Sequence, residues 1–413
     1  MNSTVALPTA STEKLTRAPR VASIDIFRGL TMTLMIFVNE LAEVKGLPWW
    51  NYHAPAKINV MTYVDMVFPA FLFILGMTIP IALEHRIRKN GSMPQLWLHI
   101  FQRTIALIVL GLILANAEGG NRALMGIGTD LWAILALLGA VLFWNVYPRS
   151  DRYATLFRVL RFVGLALMVV MFAIFRRTTT NGETAWIATS YPEILGFLGY
   201  TYLAVSFLYL ITRRWRSAPF AWFLILTALC IASTGKWIPF PGRLPLYIWP
   251  FGNGAMASIA MAGVATSSIF VQGHGAQATT LRQKAISATL FGAAALVFGW
   301  LLTPLGISKI RATPTWCLYS IGSSILLFTI LYWACDVKKS LAWAAFTRPA
   351  GDNTLLTYLL PDFYFFIVSA CGFTYFSTHA NFGLLGVLRC AIFTALILAL
   401  SALLTRWKLR LHI

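Results

Sequence analysis

The amino-acid sequence predicts an all-α fold, a polytopic transmembrane bundle of about twelve (10–12) spans. Three observations predict it. Of the 413 residues, 58% are hydrophobic and 11% charged, with a mean hydropathy of +0.71. An ordinary soluble domain carries about 25% charged residues, and a soluble core of this size cannot enclose so much apolar surface. Apolar runs of the length that crosses a hydrocarbon core of about 30 Å, about 20 residues, recur along the whole chain. Basic residues alternate between the two sides that these runs define, as positive-inside placement requires.

The runs fall at 24–42, 63–84, 96–116, 129–147, 156–175, 192–212, 219–235, 250–272, 282–303, 315–336, 352–371 and 383–405. The seventh is short, and the eleventh contains Pro361 and Asp362. Residues 1–22 are polar and lack the apolar stretch of a signal peptide, so a disordered cytoplasmic tail is expected there. Residues 23–413 are expected to form one transmembrane domain. Taking both termini as cytoplasmic places 22 basic residues inside, from Lys14 to Arg410, and nine outside, with Arg28 and Arg389 within spans. Aromatic residues such as Trp49, Trp50, Trp186 and Trp237 gather near the outer ends, as an aromatic belt does. The net charge of +19 is therefore topological. It implies a lipid bilayer as partner and no nucleic acid, since no basic-aromatic or Cys/His motif accompanies it. The five cysteines lie in or beside apolar runs without ligand spacing, so no metal site is expected, only small buried side chains.

Ionisable residues inside spans are costly and point to function. The first two spans hold most of them. Asp25 and Arg28 are three apart and share a helix face, which fits either an ion pair or an arginine that holds a phosphate from the inner side. Asn39 and Glu40 lie at the far end of the same span. The following loop contains His53, whose side chain suits proton transfer near neutral pH. Asp65 opens the next span, where it can fix an imidazole tautomer or complement a helix dipole. Pro69 is expected to bend that helix. Later, Lys309, Arg311 and Trp316 cluster at the outer mouth of the tenth span, and Asp352-Asn353 begins the eleventh as a helix cap or a ligand contact.

In these stretches the chain resembles a known family. The run RVASIDIFRGLTMTLMIFVN, the pair His53-Ala54 in the loop, and YVDMVFPAFLFILGM together resemble the heparan-alpha-glucosaminide N-acetyltransferases. A looser likeness runs from Lys309 to Trp316 (K-x-x-x-T-P-x-W), through Asp336, to Gly351–Asn353. The resemblance implies a membrane acyltransferase that takes acetyl-CoA from the cytosol and acetylates an amino sugar or related glycan at the periplasmic face of a bacterial inner membrane. It implies His53 and Asp65 as catalytic residues and Asp25, Arg28 and Asn39 as donor-binding residues. Lys309, Arg311, Trp316 and Asn353 would contact substrate. A homodimer is a further implication. Whether acetyl passes directly or through an acetyl-histidine is left open by the residues. A secondary transporter, with an ion site at Asp362 beside a helix-breaking proline, and a non-catalytic scaffold are the alternatives; the first lacks matched polar halves, and the second has no use for Asp25, Arg28, His53 and Asp65 together.

Overall fold

A computed structural model describes residues 21–148, 151–238, 252–271, 279–373, 375 and 379–411. Each of the twelve apolar runs carries a helix. In chain order the helices are α1 (Ala22–Leu41), α2 (Val67–Asn90), α3 (Met93–Asn116), the short α4 (Arg122–Met125), α5 (Thr129–Trp144), α6 (Ala154–Ile174) and α7 (Glu193–Thr212). They continue as α8 (Ala218–Thr234), α9 (Ala255–Phe270), α10 (Leu281–Leu301), α11 (Pro314–Tyr332), the short α12 (Arg348–Asp352), α13 (Thr354–Ala370) and α14 (Gly383–Arg406). Among the described residues eight segments are long and apolar enough to cross a membrane, and α5, α8, α9 and α13 are apolar but shorter. The only strands described, β1 (Arg177–Thr178) and β2 (Thr184–Ala185), form one antiparallel hairpin. All but the last two residues of the expected N-terminal tail lie outside the described residues.

Helix ends that the charge alternation groups together meet in space. At one end, Lys45 N–H donates to the Asn381 carbonyl at 2.7 Å, ahead of α14. At that end too, Asn253 Nδ2 donates to the carbonyl of Ala312 at 3.0 Å. At the opposite end, the backbone N–H groups of Ala22 and Ser23 donate to the two carboxylate oxygens of Asp336, each at 2.9 Å. Asp336 thus caps the first turn of α1 from the end of α11, where a carboxylate satisfies orphan donors and complements the helix dipole. Asn353 is also at this end. Its Nδ2 donates to Thr405 Oγ1 and the Leu409 carbonyl, and its Oδ1 accepts from Leu411 N–H. The first and last described residues therefore share one end of the bundle.

Close crossings hold the helices together. A Cβ on Gly76 of α2 would lie 1.8 Å from the Ala260 carbonyl of α9, and one on Gly263 of α9 would lie 2.1 Å from the Phe73 carbonyl of α2. The pairs α3/α7 (Gly111, Gly196), α5/α6 (Gly139, Gly164) and α10/α11 (Gly292, Gly322) cross in the same way. Lipid supplies no hydrophobic driving force between helices, so such backbone proximity carries the packing. Pro69, expected to bend the second span, stands in the first turn of α2 instead, where its missing N–H costs nothing; Pro80 is the proline inside that helix. Of the cysteines, four are buried and Cys371 is exposed.

Candidate active site

The loop between α1 and α2 is locked by its own side chains. Tyr52 Oη donates to the Val44 carbonyl at 2.6 Å and accepts from Leu47 N–H at 3.2 Å. Thr62 Oγ1 donates to the Tyr52 carbonyl at 2.9 Å. Thr62 and Asp65 then form half of a capping box: the Thr62 N–H donates to Asp65 Oδ2 at 3.1 Å. Asp65 sits in a single 3₁₀ turn (Val64–Met66) ahead of α2 and is 1% exposed.

The other oxygen of that carboxylate faces His53. Nδ1 of His53 is 2.8 Å from Asp65 Oδ1, while Ala54 N–H donates to Oδ2 at 3.2 Å. Asp65 thus has two backbone donors on one oxygen and the imidazole on the other. The indole N–H of Trp316, fully buried at the start of α11, donates to the backbone carbonyl of Asp65 at 3.0 Å. The loop thus holds the carboxylate, while α11, far away in sequence, holds the backbone of the same residue.

Lys309 Nζ lies 3.4 Å from the same Nδ1. One ring nitrogen cannot give a proton to Asp65 and accept one from an ammonium at once. The carboxylate only accepts, and it is nearer and ionic, so the Nδ1 proton belongs to Asp65. Lys309 is then a cation beside the dyad. Burial lowers the Lys309 ammonium below the usual lysine range, and the Asp65 carboxylate opposes that shift. Arg311 donates from Nη2 to Asn59 Oδ1. Gly306 makes this approach workable: its φ is +87°, and a Cβ there would lie 2.8 Å from Asn59 Oδ1. The loop carrying Lys309 and Arg311 is thereby pressed onto the loop carrying His53. With Nδ1–H committed to Asp65, Nε2 of His53 holds the free lone pair. The His53 side chain is 42% exposed, against 1% for Asp65. A buried carboxylate holding a half-exposed imidazole in a fixed tautomer is a general-base arrangement.

The other residues singled out in the sequence lie elsewhere. Arg28 Nη1 is 3.4 Å from Asp25 Oδ1. At about 100° per residue, Asp25, Arg28 and Asn39 occupy one face of α1, the face of Met32 and Met35, which share a buried cluster with Leu356 and Leu359 of α13. Asn39 is exposed and makes no hydrogen bond to the dyad among the described residues. Asn353 is at the opposite end of the bundle, tied to the end of α14. Thr62 is the working residue that the sequence did not single out, and Asp336, singled out only in the looser likeness, has a role in capping α1 that the sequence did not show. Thr62-x-x-Asp65 carries a capping-box spacing that could have revealed the first, whereas no local signal pairs Asp336 with α1.

Residues 20–216 match the family model described as Domain of unknown function (DUF5009). Over 98 residues, 24% of this chain, the sequence is 37% identical to the human heparan-alpha-glucosaminide N-acetyltransferase. Over 99 residues it is 35% identical to the mouse protein of that name. The matched part spans 14% of the length of each of these relatives.

Proposed function

We propose that this chain, a relative of the heparan-alpha-glucosaminide N-acetyltransferases, is a multi-pass membrane acetyltransferase that moves acetyl from acetyl-CoA to the amine of an amino sugar or related glycan. One observation carries the reading: the buried Asp65, its carboxylate fixed by Ala54 and Thr62 and its backbone carbonyl by Trp316, holds His53 with Nε2 free. In this mechanism Nε2 takes a proton from the acceptor amine as its nitrogen attacks the thioester carbonyl. The carbon–sulfur bond breaks, and Nε2 returns the proton to the departing thiolate sulfur. Asp65 stabilises the transient imidazolium without itself being protonated. The Lys309 ammonium stands where it can offset negative charge that develops on the thioester oxygen.

The bundle end bearing His53 would face the periplasm of a bacterial inner membrane, and the donor would arrive from the cytosolic end. Asp25, Arg28 and Asn39 share one face of α1 along that direction, with Met32 and Met35 between them. Arg28 would meet donor phosphate, for which a guanidinium is well shaped.

The test is acetyl transfer by the purified full-length chain in nanodiscs, with labelled acetyl-CoA and a panel of amino sugars. Transfer that His53→Ala abolishes is the expected result; transfer unaffected by that substitution removes His53 from the mechanism. Label retained on the chain in the absence of acceptor, and lost in His53→Ala, would identify an acetyl-histidine intermediate. Uptake of unmodified sugar without acetyl-CoA would favour the transporter reading.

A further inference from the structure

A cavity of about 680 Å³ opens between α1, α2, α11 and α14. Its upper end is formed by Tyr63 and Met66, two residues before and one after Asp65, and its lower end by Phe27 and Phe346. Its walls are almost entirely carbon. Leu34 and Leu327, in the middle of α1 and α11, and Phe346 at the lower end line it and are exposed. Exposed leucines at mid-span depth mean that the cleft opens sideways to the bilayer rather than to water. Phe27, Leu30, Leu34 and Phe37 place it on the side of α1 away from Asp25, Arg28 and Asn39 at about 100° per residue. The donor-binding face proposed above and this cleft therefore lie on opposite sides of α1.

Three serines of α11, Ser320, Ser323 and Ser324, line the cleft on the helix face that also carries Trp316 and Leu327. Ser320 is 1% exposed, and its hydroxyl has no hydrogen-bond partner. Hydroxyls in apolar surroundings ordinarily bond back to their own helix, as Thr31, Thr33 and Thr394 do across the same cleft. A buried donor left unspent is costly; of the buried hydroxyls in that state among the described residues, that of Ser320 is the one whose residue lines this cleft, where a ligand could bring it an acceptor. The depth is informative. Trp316 is level with Asp65 through its hydrogen bond, and Ser320 and Ser324 lie about 6 and 12 Å further along the axis at about 1.5 Å per residue.

We propose that the cleft binds an acylated membrane lipid and that the amino-sugar acceptor is its headgroup. The sugar stands at His53, the ester or amide carbonyls accept from the α11 serines, and the acyl chain runs down past Leu327 and Ala395 toward Phe346. The inference rests on the acetyltransferase reading of the dyad, and it names the acceptor as a glycolipid drawn laterally from the bilayer.

The test uses the full chain in phosphatidylcholine nanodiscs doped with a glucosaminyl diacylglycerol bearing a diazirine at mid-chain. After irradiation the label is mapped to peptides. The expected label falls on the cleft-lining parts of α11 and α14. Ala395→Trp lowers it about tenfold, as a steric clash built into a binding surface does. The milder double substitution Ser320→Ala/Ser324→Ala lowers it too, which guards against misfolding of the tryptophan variant. His53→Ala keeps the label, so lipid binding is scored apart from catalysis. Label spread evenly over outward faces such as Phe162 of α6 and Leu290 of α10, and indifferent to these substitutions, overturns the proposal. Label displaced by excess acetyl-CoA overturns it as well and gives the cleft to the donor's arm. A cross-linked second copy in place of lipid label gives it to a dimer.

Discussion

Asp65→Asn is nearly isosteric and would inactivate the dyad through hydrogen-bond direction alone. An asparagine amide has one acceptor oxygen and one donor NH₂. Two backbone N–H groups, from Ala54 and Thr62, point at Oδ2, so the amide oxygen must take that position. The NH₂ group then faces His53 Nδ1 across the 2.8 Å contact. Nδ1 is forced to accept, the ring proton moves to Nε2, and the lone pair that would abstract the amine proton is gone. General acid–base catalysis supplies about 10²–10⁴-fold, and the same substitution in a serine-protease triad costs about 10⁴-fold. We expect kcat to fall by about 10²–10⁴-fold with little loss of thermal stability. The assay is acetyl transfer in nanodiscs near neutral pH, paired with a thermal melt. Activity within about threefold of the unmodified chain, in a folded variant, would refute the tautomer argument.

Other outcomes follow from the same geometry. His53→Ala should be inactive yet partly rescued by added imidazole, because the His53 side chain is 42% exposed and its removal leaves a reachable gap beside Asp65; titration of imidazole against acetyl transfer checks this. Trp316→Phe should leave the Asp65 carbonyl unpaired at a fully buried site, lowering stability by about 1–3 kcal/mol and lowering kcat more than it raises KM. Lys309 gives a pH signature. Its folded pKa is lowered, so the unfolded chain binds more protons between that value and the ordinary lysine pKa, and stability rises with pH across the window. Lys309→Gln should flatten that rise, as melting temperatures measured up to about pH 10.5 would show. Gly76→Val should disrupt the α2/α9 crossing, since even a Cβ meets the Ala260 carbonyl at 1.8 Å; loss of the monodisperse peak in detergent chromatography is the readout.

The bundle was legible because hydrophobic length and charge alternation are summed over many residues. All twelve apolar runs carry helices, most ending within a few residues of the pattern. The dyad was legible for a different reason: His53 and Asp65 are separated by one short loop, so their meeting depends on local chain geometry. Lys309 and Trp316 could be placed at the correct end of the bundle, but their convergence on His53 and Asp65 is tertiary. It is set by how α11 packs beside α2, which no local pattern encodes. Asn353 shows the reverse case. A Gly-Asp-Asn turn at a helix start reads equally well as a cap or a ligand contact, and the structure spends the amide on Thr405, Leu409 and Leu411 instead. Asp25 and Asp336 are a similar lesson: the ion pair within α1 could be read from spacing, while the carboxylate that caps its first turn comes from the other end of the sequence.

The clamp on Asp65 has a consequence in time. Trp316 follows Asp65 by 251 residues. At about 5–20 residues per second of synthesis, the ribosome adds that length in roughly 13–50 s. Throughout that interval the nascent chain already contains His53 and Asp65, but not the indole that anchors the Asp65 carbonyl. Until α11 enters the bundle the dyad would therefore rest on its own loop alone, without the indole on Asp65 or Lys309 beside His53. A product truncated before Pro314 would carry the whole proposed dyad with the Asp65 carbonyl lacking its indole donor.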